Sequence, residues 1–281
     1  MNSRFYSPLP ALKDFVKYYI IFDTYIDDFD KLTQCSIPYN CPVLILAVSD
    51  DAPTLVVEGH SISDVSGHFG GQTYSPIYMD KPGNFRIIVV LFQANGAYRL
   101  FGIPQNEFFG QFVMVKDFLG KHTNDIQERI YENRNNNHEI IRELNIFLLR
   151  FLKQNQTGKT YLDHVISQII DKNGIVKVEE LCTDLNINPR TLRRHFKQQV
   201  GISPKEFTWL YRLNKLHKYL MLDENISIHD VVYKLGYYDQ SHLINDLRKY
   251  AHYTPGSLCG NNNIILSHFM KADSYYEKIS A

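Results

Sequence analysis

The chain contains little of what marks secreted, membrane-spanning or metal-binding proteins. Among its 281 residues are four cysteines, and no two of them are spaced as Cys-x-x-Cys. This pattern favours reduced, mostly buried thiols over a disulfide framework or a zinc site. The longest apolar runs, such as residues 87–92, are far shorter than the roughly 20 residues that cross a bilayer. The N-terminal residues also lack the apolar stretch and cleavage site of a signal peptide, so we expect a cytoplasmic protein without a membrane partner.

Sequence signatures of catalysis are equally scarce. No Gly-rich loop ends in Lys-Ser/Thr, and no Gly-x-Ser-x-Gly or paired His/Cys arrangement is present, so we predict no catalytic residue and no cofactor. His60 and His68 lie near Glu58 and Asp64, but the His-x-His spacing of a cupin-type metal site is missing. Ordinary exposed or hydrogen-bonded histidines are the favoured interpretation, and no metal site is predicted. A metalloenzyme with a cupin-like N-terminal part is the less favoured hypothesis.

Length and composition indicate two soluble domains. A chain of 281 residues with 44% hydrophobic and 21% charged residues is long enough for two cores. The net charge is zero, but residues 174–260 contain twelve Lys/Arg against nine Asp/Glu, so this part carries the positive excess. A helix-stopping Lys-Asn-Gly sequence at 172–174 marks the predicted boundary. We predict domains at residues 1–172 and 174–258, and a tail at 260–281 that is either a loose end or a short docking helix.

The N-terminal part has the pattern of short strands and turns. Apolar runs separated by Pro, Gly, Asn and Asp predict strands at residues 18–22, 43–48, 54–57 and 86–92. Helical signals appear at residues 95–101 and at 105–109, after Pro104. Apolar spacing of three and four predicts two further helices at residues 137–153 and 160–171. The expected fold class is α+β, with a β-rich, cupin- or jelly-roll-like N-terminal domain and flanking helices. The last two helices either pack on that sheet or form a dimer seam.

Aromatic residues are frequent in the predicted β-rich domain. They either line a ligand cavity or fill the core, and the core is the more common place for aromatics in a β domain. The residues concerned are Tyr18, Tyr19, Tyr39, Tyr74, Tyr78, Phe69 and Phe85.

A helix, a turn and a second helix are predicted between residues 176 and 201. The first helix has an apolar face formed by Val178, Leu181 and Leu185. Asn186 tolerates the left-handed backbone that the turn requires. Asn188 followed by Pro189 is a typical helix start. Two helices joined in this way indicate a helix-turn-helix unit.

The second helix of this unit has a cationic outer face. Leu192, Phe196 and Val200 recur every four residues and predict the buried face. The predicted outer residues are Arg190, Thr191, Arg193, Arg194 and Lys197, and no acid occurs in residues 189–199. Because the second helix of such a unit lies in the major groove, and Arg forms paired hydrogen bonds with guanine, we predict that these residues contact DNA.

A long helix and a second unit follow. Ser203, Pro204 and Glu206 form a capping box with Pro at the first helical position. A structural ion pair is the favoured role of Arg212. The second unit begins near Ser227, turns at Gly236 and restarts at an expected cap, Asp239. The residues expected to face DNA on its second helix are Gln240, Ser241, His242, Asn245, Arg248 and Lys249, with Asp239 and Asp246 offsetting the two cations.

Residues 176–258 resemble the DNA-binding domain of the AraC/XylS family of bacterial transcription regulators. The matching positions are Leu192, Phe196, Lys197, Gly201, Ser203-Pro204, Arg212-Leu213, Gly236-Tyr237, Asp239-Gln240-Ser241 and Thr254-Pro255. The resemblance implies an all-α domain of seven helices with two helix-turn-helix units, and usually activation by contact with RNA polymerase. The chain departs from the family pattern at Cys182, Asn186, Val232, Leu243 and Leu247. Asn245 replaces a frequent Arg, so the second unit is expected to bind DNA more weakly.

The N-terminal half resembles, through residues 88–109, a β-rich domain that is fused to this DNA-binding domain in uncharacterised bacterial regulators. The matching positions are Leu91-Phe92, Gly96-Ala97, Leu100-Phe101-Gly102-Ile103-Pro104 and Glu107-Phe108. The chain is therefore expected to be a regulator that binds double-stranded promoter DNA, most simply an activator whose N-terminal domain senses a small-molecule effector or forms a homodimer. The alternative is a repressor or ligand-independent regulator with a purely oligomerising N-terminal domain.

Overall fold

A computed structural model shows strands in the N-terminal part of the chain and helices in the C-terminal part. It describes residues 2–24, 33–36, 40–49, 54–57, 59–62, 67–75, 77–80, 84–120, 122–155, 158–222 and 228–251. Within these ranges the last strand ends at Met114, and every α-helix except one short one follows it. The coarse α+β prediction is confirmed. The predicted tail at 260–281 lies outside the described residues.

The strands form two antiparallel sheets. They are β1 (Asn2–Tyr6), β2 (Val16–Thr24), β3 (Thr33–Ser36), β4 (Val43–Ala47), β5 (Thr54–Val57), β6 (His60–Ile62), β7 (His68–Gly70), β8 (Ile77–Asp80), β9 (Phe85–Phe92) and β10 (Phe112–Met114). The first sheet has the order β1-β2-β9-β4-β7-β10, and the second has the order β3-β8-β5-β6. The four predicted strands correspond to β2, β4, β5 and β9, whereas β1, β3, β6, β7, β8 and β10 were not predicted. The finer cupin or jelly-roll assignment stays a prediction.

Both faces of the first sheet are buried, which explains its nearly continuous apolar strands. Successive residues of a strand point to opposite faces. In β2, Tyr18 and Ile20 therefore pack with residues of the second sheet, such as Leu55. Tyr19 and Ile21 pack on the other side, against helices. The N-terminal domain is thus a three-layer arrangement of sheet, sheet and helices.

The helical layer consists of α1 (Gly96–Phe101), α2 (Val115–Leu119), α3 (His122–Glu132) and α4 (Asn137–Asn155), with a short 3₁₀ segment at Gln105–Glu107. Aromatic rings fill the space between these helices and the first sheet. Phe69 of β7 stacks on Phe118 of α2 with 3.9 Å between ring centroids. Tyr18, Tyr19, Phe69 and Phe85 are all buried, which confirms their interpretation as core. Tyr39 lies outside the described residues.

The C-terminal part consists of helices packed around one apolar cluster. They are α5 (Tyr161–Asp171), α6 (Val178–Asp184), α7 (Pro189–Val200), α8 (Pro204–Leu222), α9 (Ile228–Lys234) and α10 (Gln240–Ala251). Leu181, Phe196, Trp209, Val231 and Leu247 are buried in this cluster and come from five different helices. A seventh helix, as the resemblance implies, would have to lie beyond the described residues. No helix within the described ranges is long and apolar enough to cross a membrane.

Helix α5 packs differently from the sequence-based expectation. It lies before the predicted boundary at residues 172–174, yet Leu162, Val165 and Ile169 belong to the same cluster as α6 to α10. Helix α4 instead belongs to the cluster beneath the first sheet, through Leu144 and Leu148. The two helices thus serve different cores. We therefore propose that the boundary between domains lies between α4 and α5.

The two domains meet at α1 and the 3₁₀ segment. The Arg99 guanidinium, which is only 3% exposed, donates to the Asp163 carboxylate of α5 at 2.7 Å. Asn95 donates to the same carboxylate oxygen at 3.3 Å. The Tyr74 ring contacts Trp209 of α8 edge-on, with 5.9 Å between centroids. The contact therefore combines a nearly buried ion pair with aromatic packing.

Gly96, at the start of α1, supplies a test of how closely α1 packs within the N-terminal domain. A Cβ atom there would lie 2.0 Å from the Phe15 carbonyl oxygen. Although Gly-to-Ala substitutions normally stabilise helices, we expect Gly96→Ala to destabilise the protein by about 1–3 kcal/mol because the backbone cannot yield. Gly158→Ala is the matched control, since nothing lies within 4 Å of its Cβ position. Urea denaturation followed by circular dichroism measures both. Equal midpoints for the two variants would contradict the close approach.

Candidate nucleic-acid interface

Helix α7 begins and ends with strong local signals. The Asn188 side chain accepts a hydrogen bond from the Arg190 N–H at 2.8 Å, and Pro189 occupies the first turn. At the other end Gly201 has φ +98°, and its N–H donates to the Lys197 carbonyl. Asn and Pro at the start and a left-handed Gly at the end are the residues that such helix ends favour. The predicted cap at Asn188 is confirmed.

The faces of α7 are distributed as the sequence predicts. Leu192, Phe196 and Val200 are fully buried. The four cations Arg190, Arg193, Arg194 and Lys197 are exposed, and Thr191 is partly exposed. None of these four cations forms a salt bridge with another described residue. Their charges are therefore available to an external anion. DNA contact by these residues remains a prediction.

The turn before α7 has the predicted geometry. Asn186 has φ +51°, a left-handed conformation that Asn adopts more easily than most residues. Leu181 and Cys182 of α6 are buried against the common core. This core fixes α7 relative to α6 and leaves the cationic side of α7 in solvent.

His195 is a residue that sequence reasoning missed. Its ring lies between the Tyr161 hydroxyl, 2.7 Å from Nδ1, and the Arg194 guanidinium, 3.2 Å from Nε2. Burial raises the pKa of the Tyr161 phenol, against an opposing effect of the Arg194 charge. The phenol therefore stays a neutral hydroxyl. The sequence signal was a histidine directly before the buried Phe196 on the cationic helix.

Helix α8 forms the spine between the two units. The predicted capping box is present, because the Ser203 N–H donates to Glu206 at 2.7 Å and the Glu206 N–H donates to the Ser203 hydroxyl at 3.3 Å. Nineteen residues at a rise of about 1.5 Å extend about 28 Å. Arg212 forms an ion pair with Asp246 of α10 at 3.7 Å and lies over the Tyr237 ring. Its predicted role as a structural ion pair is confirmed.

The second unit presents a polar rather than a cationic face. The Asp239 carboxylate accepts from the His242 N–H at 2.7 Å, as expected of a helix cap. Leu243 and Leu247 are buried. The exposed residues of α10 include Gln240, Ser241, His242, Asn245 and Arg248. The side chain of Lys249 and the predicted helix start at Ser227 lie outside what the structure describes.

Asp246 has a partner that the sequence did not predict. We expected it, together with Asp239, to offset the charges of Arg248 and Lys249, and this stays a prediction. In the structure its carboxylate is partly buried and lies 3.7 Å from the Arg212 guanidinium on α8. Asp246 therefore holds α10 on the spine.

The histidines that suggested a metal site are not gathered into one. His60 is exposed on β6, whereas His68 is buried on β7. Glu58 and Asp64 lie outside the described residues. Among the residues described, no group of three or more His, Cys, Asp and Glu side chains is placed to bind a metal ion.

Family models match segments in both parts of the chain. Residues 181–259 match a family described as a helix-turn-helix domain, and residues 4–114 match a domain of unknown function, DUF6597. The HTH-type transcriptional activator RhaS of Klebsiella pneumoniae is 27% identical over 88 residues, which are 31% of this chain and 31% of that protein. The HTH-type transcriptional regulator MtrA of Neisseria gonorrhoeae is 29% identical over 96 residues, 34% of this chain and 32% of that protein.

These matches confirm the AraC/XylS resemblance of the C-terminal domain. The matched segment spans about a third of the length of these curated relatives. Among solved structures, ToxT from Vibrio cholerae O395 aligns with 88% of this chain and 97% of its own, at 12% identity and a TM-score of 0.46.

His217 provides a test of the spine, because it is fully buried on α8. Its ring nitrogens have no hydrogen-bond partner among the described residues. Burial lowers the pKa of His217 from 6.5 to about 4. Between these values the unfolded chain binds a proton that the folded chain does not. As a result, His217 does not lower the free energy of unfolding above pH 6.5. As the pH falls toward 4 it lowers that free energy, by about 2 kcal/mol between pH 7 and pH 5.

The measurement is the urea midpoint at pH 7 and pH 5 for the wild type and two variants. His217→Leu removes the buried titrating group and should flatten the pH dependence. His60→Leu changes an exposed histidine and should leave the dependence as in the wild type. A wild-type dependence retained in His217→Leu would show that other groups cause it.

Proposed function

We propose that this chain, whose C-terminal domain is of the AraC/XylS type, is a sequence-specific regulator that binds promoter DNA through α7 and α10. The observation that carries the proposal is the exposed, acid-free cationic face of α7, on which Arg190, Arg193, Arg194 and Lys197 lack salt-bridge partners among the described residues. Unpaired cations on one helix face provide the attraction to phosphates on which DNA affinity largely depends. The names of the matched relatives, which are transcriptional activators and regulators, agree with it.

The spacing of the two recognition helices supports simultaneous binding. Helix α8 is about 28 Å long, and successive major-groove segments on one face of B-DNA are about 34 Å apart. The Arg212–Asp246 ion pair fixes α10 on α8. A rigid connection of this length suits two helices that enter adjacent turns of the groove.

The two recognition helices should contribute unequally. Helix α7 presents four exposed cations, whereas the described outer residues of α10 include one, Arg248, beside neutral Gln240, Ser241 and Asn245. We therefore propose that α7 supplies most of the affinity and α10 adds hydrogen bonds to bases. Direct hydrogen bonds to base edges carry sequence information without adding to the salt dependence.

The N-terminal domain has a physical route to this interface. Gln105 of the 3₁₀ segment lies against the end of α7. Its carbonyl oxygen is 3.2 Å from the place where a Cβ atom added to Gly201 would lie. We propose that an effector or a second copy of the chain acts on DNA binding through this contact.

Activation by contact with RNA polymerase is the effect that the resemblance implies; repression, or a purely oligomerising N-terminal domain, is the alternative. A promoter-reporter assay with deletion of the gene gives the sign of regulation.

Two paired substitutions test the interface. Arg193→Ala with Arg194→Ala should weaken binding to a selected duplex at least tenfold and lower the salt slope, log Kobs against log[salt], by about 1–2, because each lost phosphate contact contributes about 0.9. Arg142→Ala with Arg150→Ala removes the same charge from the exposed side of α4 and should change neither. Fluorescence anisotropy between 50 and 200 mM salt measures both slopes. An unchanged slope in the first pair would show that α7 is not the DNA-binding helix.

A further inference from the structure

Arg194 differs from the other cations of α7 because a polar chain lies behind it. Its guanidinium is 3.2 Å from His195 Nε2, and His195 Nδ1 is 2.7 Å from the Tyr161 hydroxyl. Tyr161 is the first residue of α5, on a different part of the common core. The other three exposed cations of α7 have no such contact to another helix among the described residues.

The donors and acceptors of this chain are fixed by chemistry. A guanidinium can only donate hydrogen bonds, so His195 Nε2 must accept from Arg194. A neutral imidazole with an accepting Nε2 carries its proton on Nδ1, which therefore donates to the Tyr161 oxygen. The Arg194 guanidinium thus selects the ring tautomer, and the Tyr161 oxygen, which can accept as well as donate, holds that ring through Nδ1.

The start of α5 is itself held firmly. Asp163 accepts from the Thr160 N–H at 2.6 Å and closes a capping box. The same side chain accepts from Arg99 at 2.7 Å, and Arg99 is nearly buried in the N-terminal domain. The Tyr161 hydroxyl is therefore anchored by the junction of the two domains rather than by a free helix end.

We propose that Tyr161 and His195 are positioning residues that set the orientation of the Arg194 guanidinium for base recognition. This inference rests on the proposed function. An exposed arginine samples many rotamers, and its ordering opposes binding. Paired hydrogen bonds to guanine require the guanidinium plane in one orientation. An arginine that His195 already orients before DNA binds loses less conformational entropy on binding. It also accepts fewer alternative base pairs at the position that it contacts.

The test is a double-mutant cycle between Tyr161→Phe and Arg194→Ala in the full chain. The probe is a duplex that the wild-type protein selects from random sequence. Tyr161→Phe removes one hydroxyl and keeps the ring, so we expect binding to weaken three- to tenfold without a change in salt slope. In the Arg194→Ala background the same substitution should change affinity less than 1.5-fold. Tyr131→Phe, at an exposed position of α3, is the matched control and should have no effect in either background.

Selection repeated with the variants gives a second readout that packing alone would not change. Tyr161→Phe should relax the base preference at the same positions as Arg194→Ala. His195→Leu should behave like Tyr161→Phe, whereas His195→Gln, which retains a side-chain oxygen as acceptor, should recover part of the wild-type affinity. Should the leucine variant not fold, the cycle with Tyr161→Phe decides alone.

Two results would overturn the inference, and they differ. If the wild type selects a duplex but Tyr161→Phe has the same effect with and without Arg194, the positioning role is wrong while the proposed function stands. If the wild type selects no duplex at all, the proposed function fails, and the inference fails with it.

Discussion

The arrangement of the two domains depends on one nearly buried charge, the guanidinium of Arg99. It lies over the Phe15 ring at 4.4 Å and donates to Asp163 of α5 at 2.7 Å. A charge that is removed from water at an apolar junction requires a partner of opposite charge. When one partner is removed, the other keeps its desolvation cost without the compensating attraction. Because Asp163 also caps α5, this one ion pair connects helix formation, domain contact and the position of Tyr161. The relative position of the two domains is therefore fixed by a directional ion pair and not by apolar packing alone.

The C-terminal domain combines a rigid inside with two unlike outer faces. Buried leucines and aromatic rings fix α7 and α10 on α8, and Asp246 holds α10 through its ion pair with Arg212. The outer face of α7 keeps its positive charge without internal neutralisation. The cationic face of α7 and the polar face of α10 are thus formed by separate sets of residues, so a chain with zero net charge presents a cationic surface locally.

Features encoded within a few residues were predictable from the sequence. The cap at Asn188, the turn at Asn186 and the buried face of α7 follow from local conformational preference and helical period, and each was confirmed. Contacts between distant residues were not predictable from one sequence. Arg99 and Asp163 are 64 positions apart, and Tyr161 and His195 are 34 apart. These contacts depend on where α5 packs at the junction. Helix α5 precedes the boundary predicted at residues 172–174, yet it packs in the C-terminal core. Edge strand β1 was missed because its five residues alternate weakly and gain order from pairing with β2.

The central claim is that two unequal recognition helices bind one face of DNA in fixed register. The most direct measurement is a hydroxyl-radical footprint of the full chain on a duplex that it selects from random sequence. The account predicts two protected segments on the same face, about 10 base pairs apart, with the stronger protection within the segment that Arg193→Ala weakens. A single protected segment, or protection without any sequence preference, would contradict it.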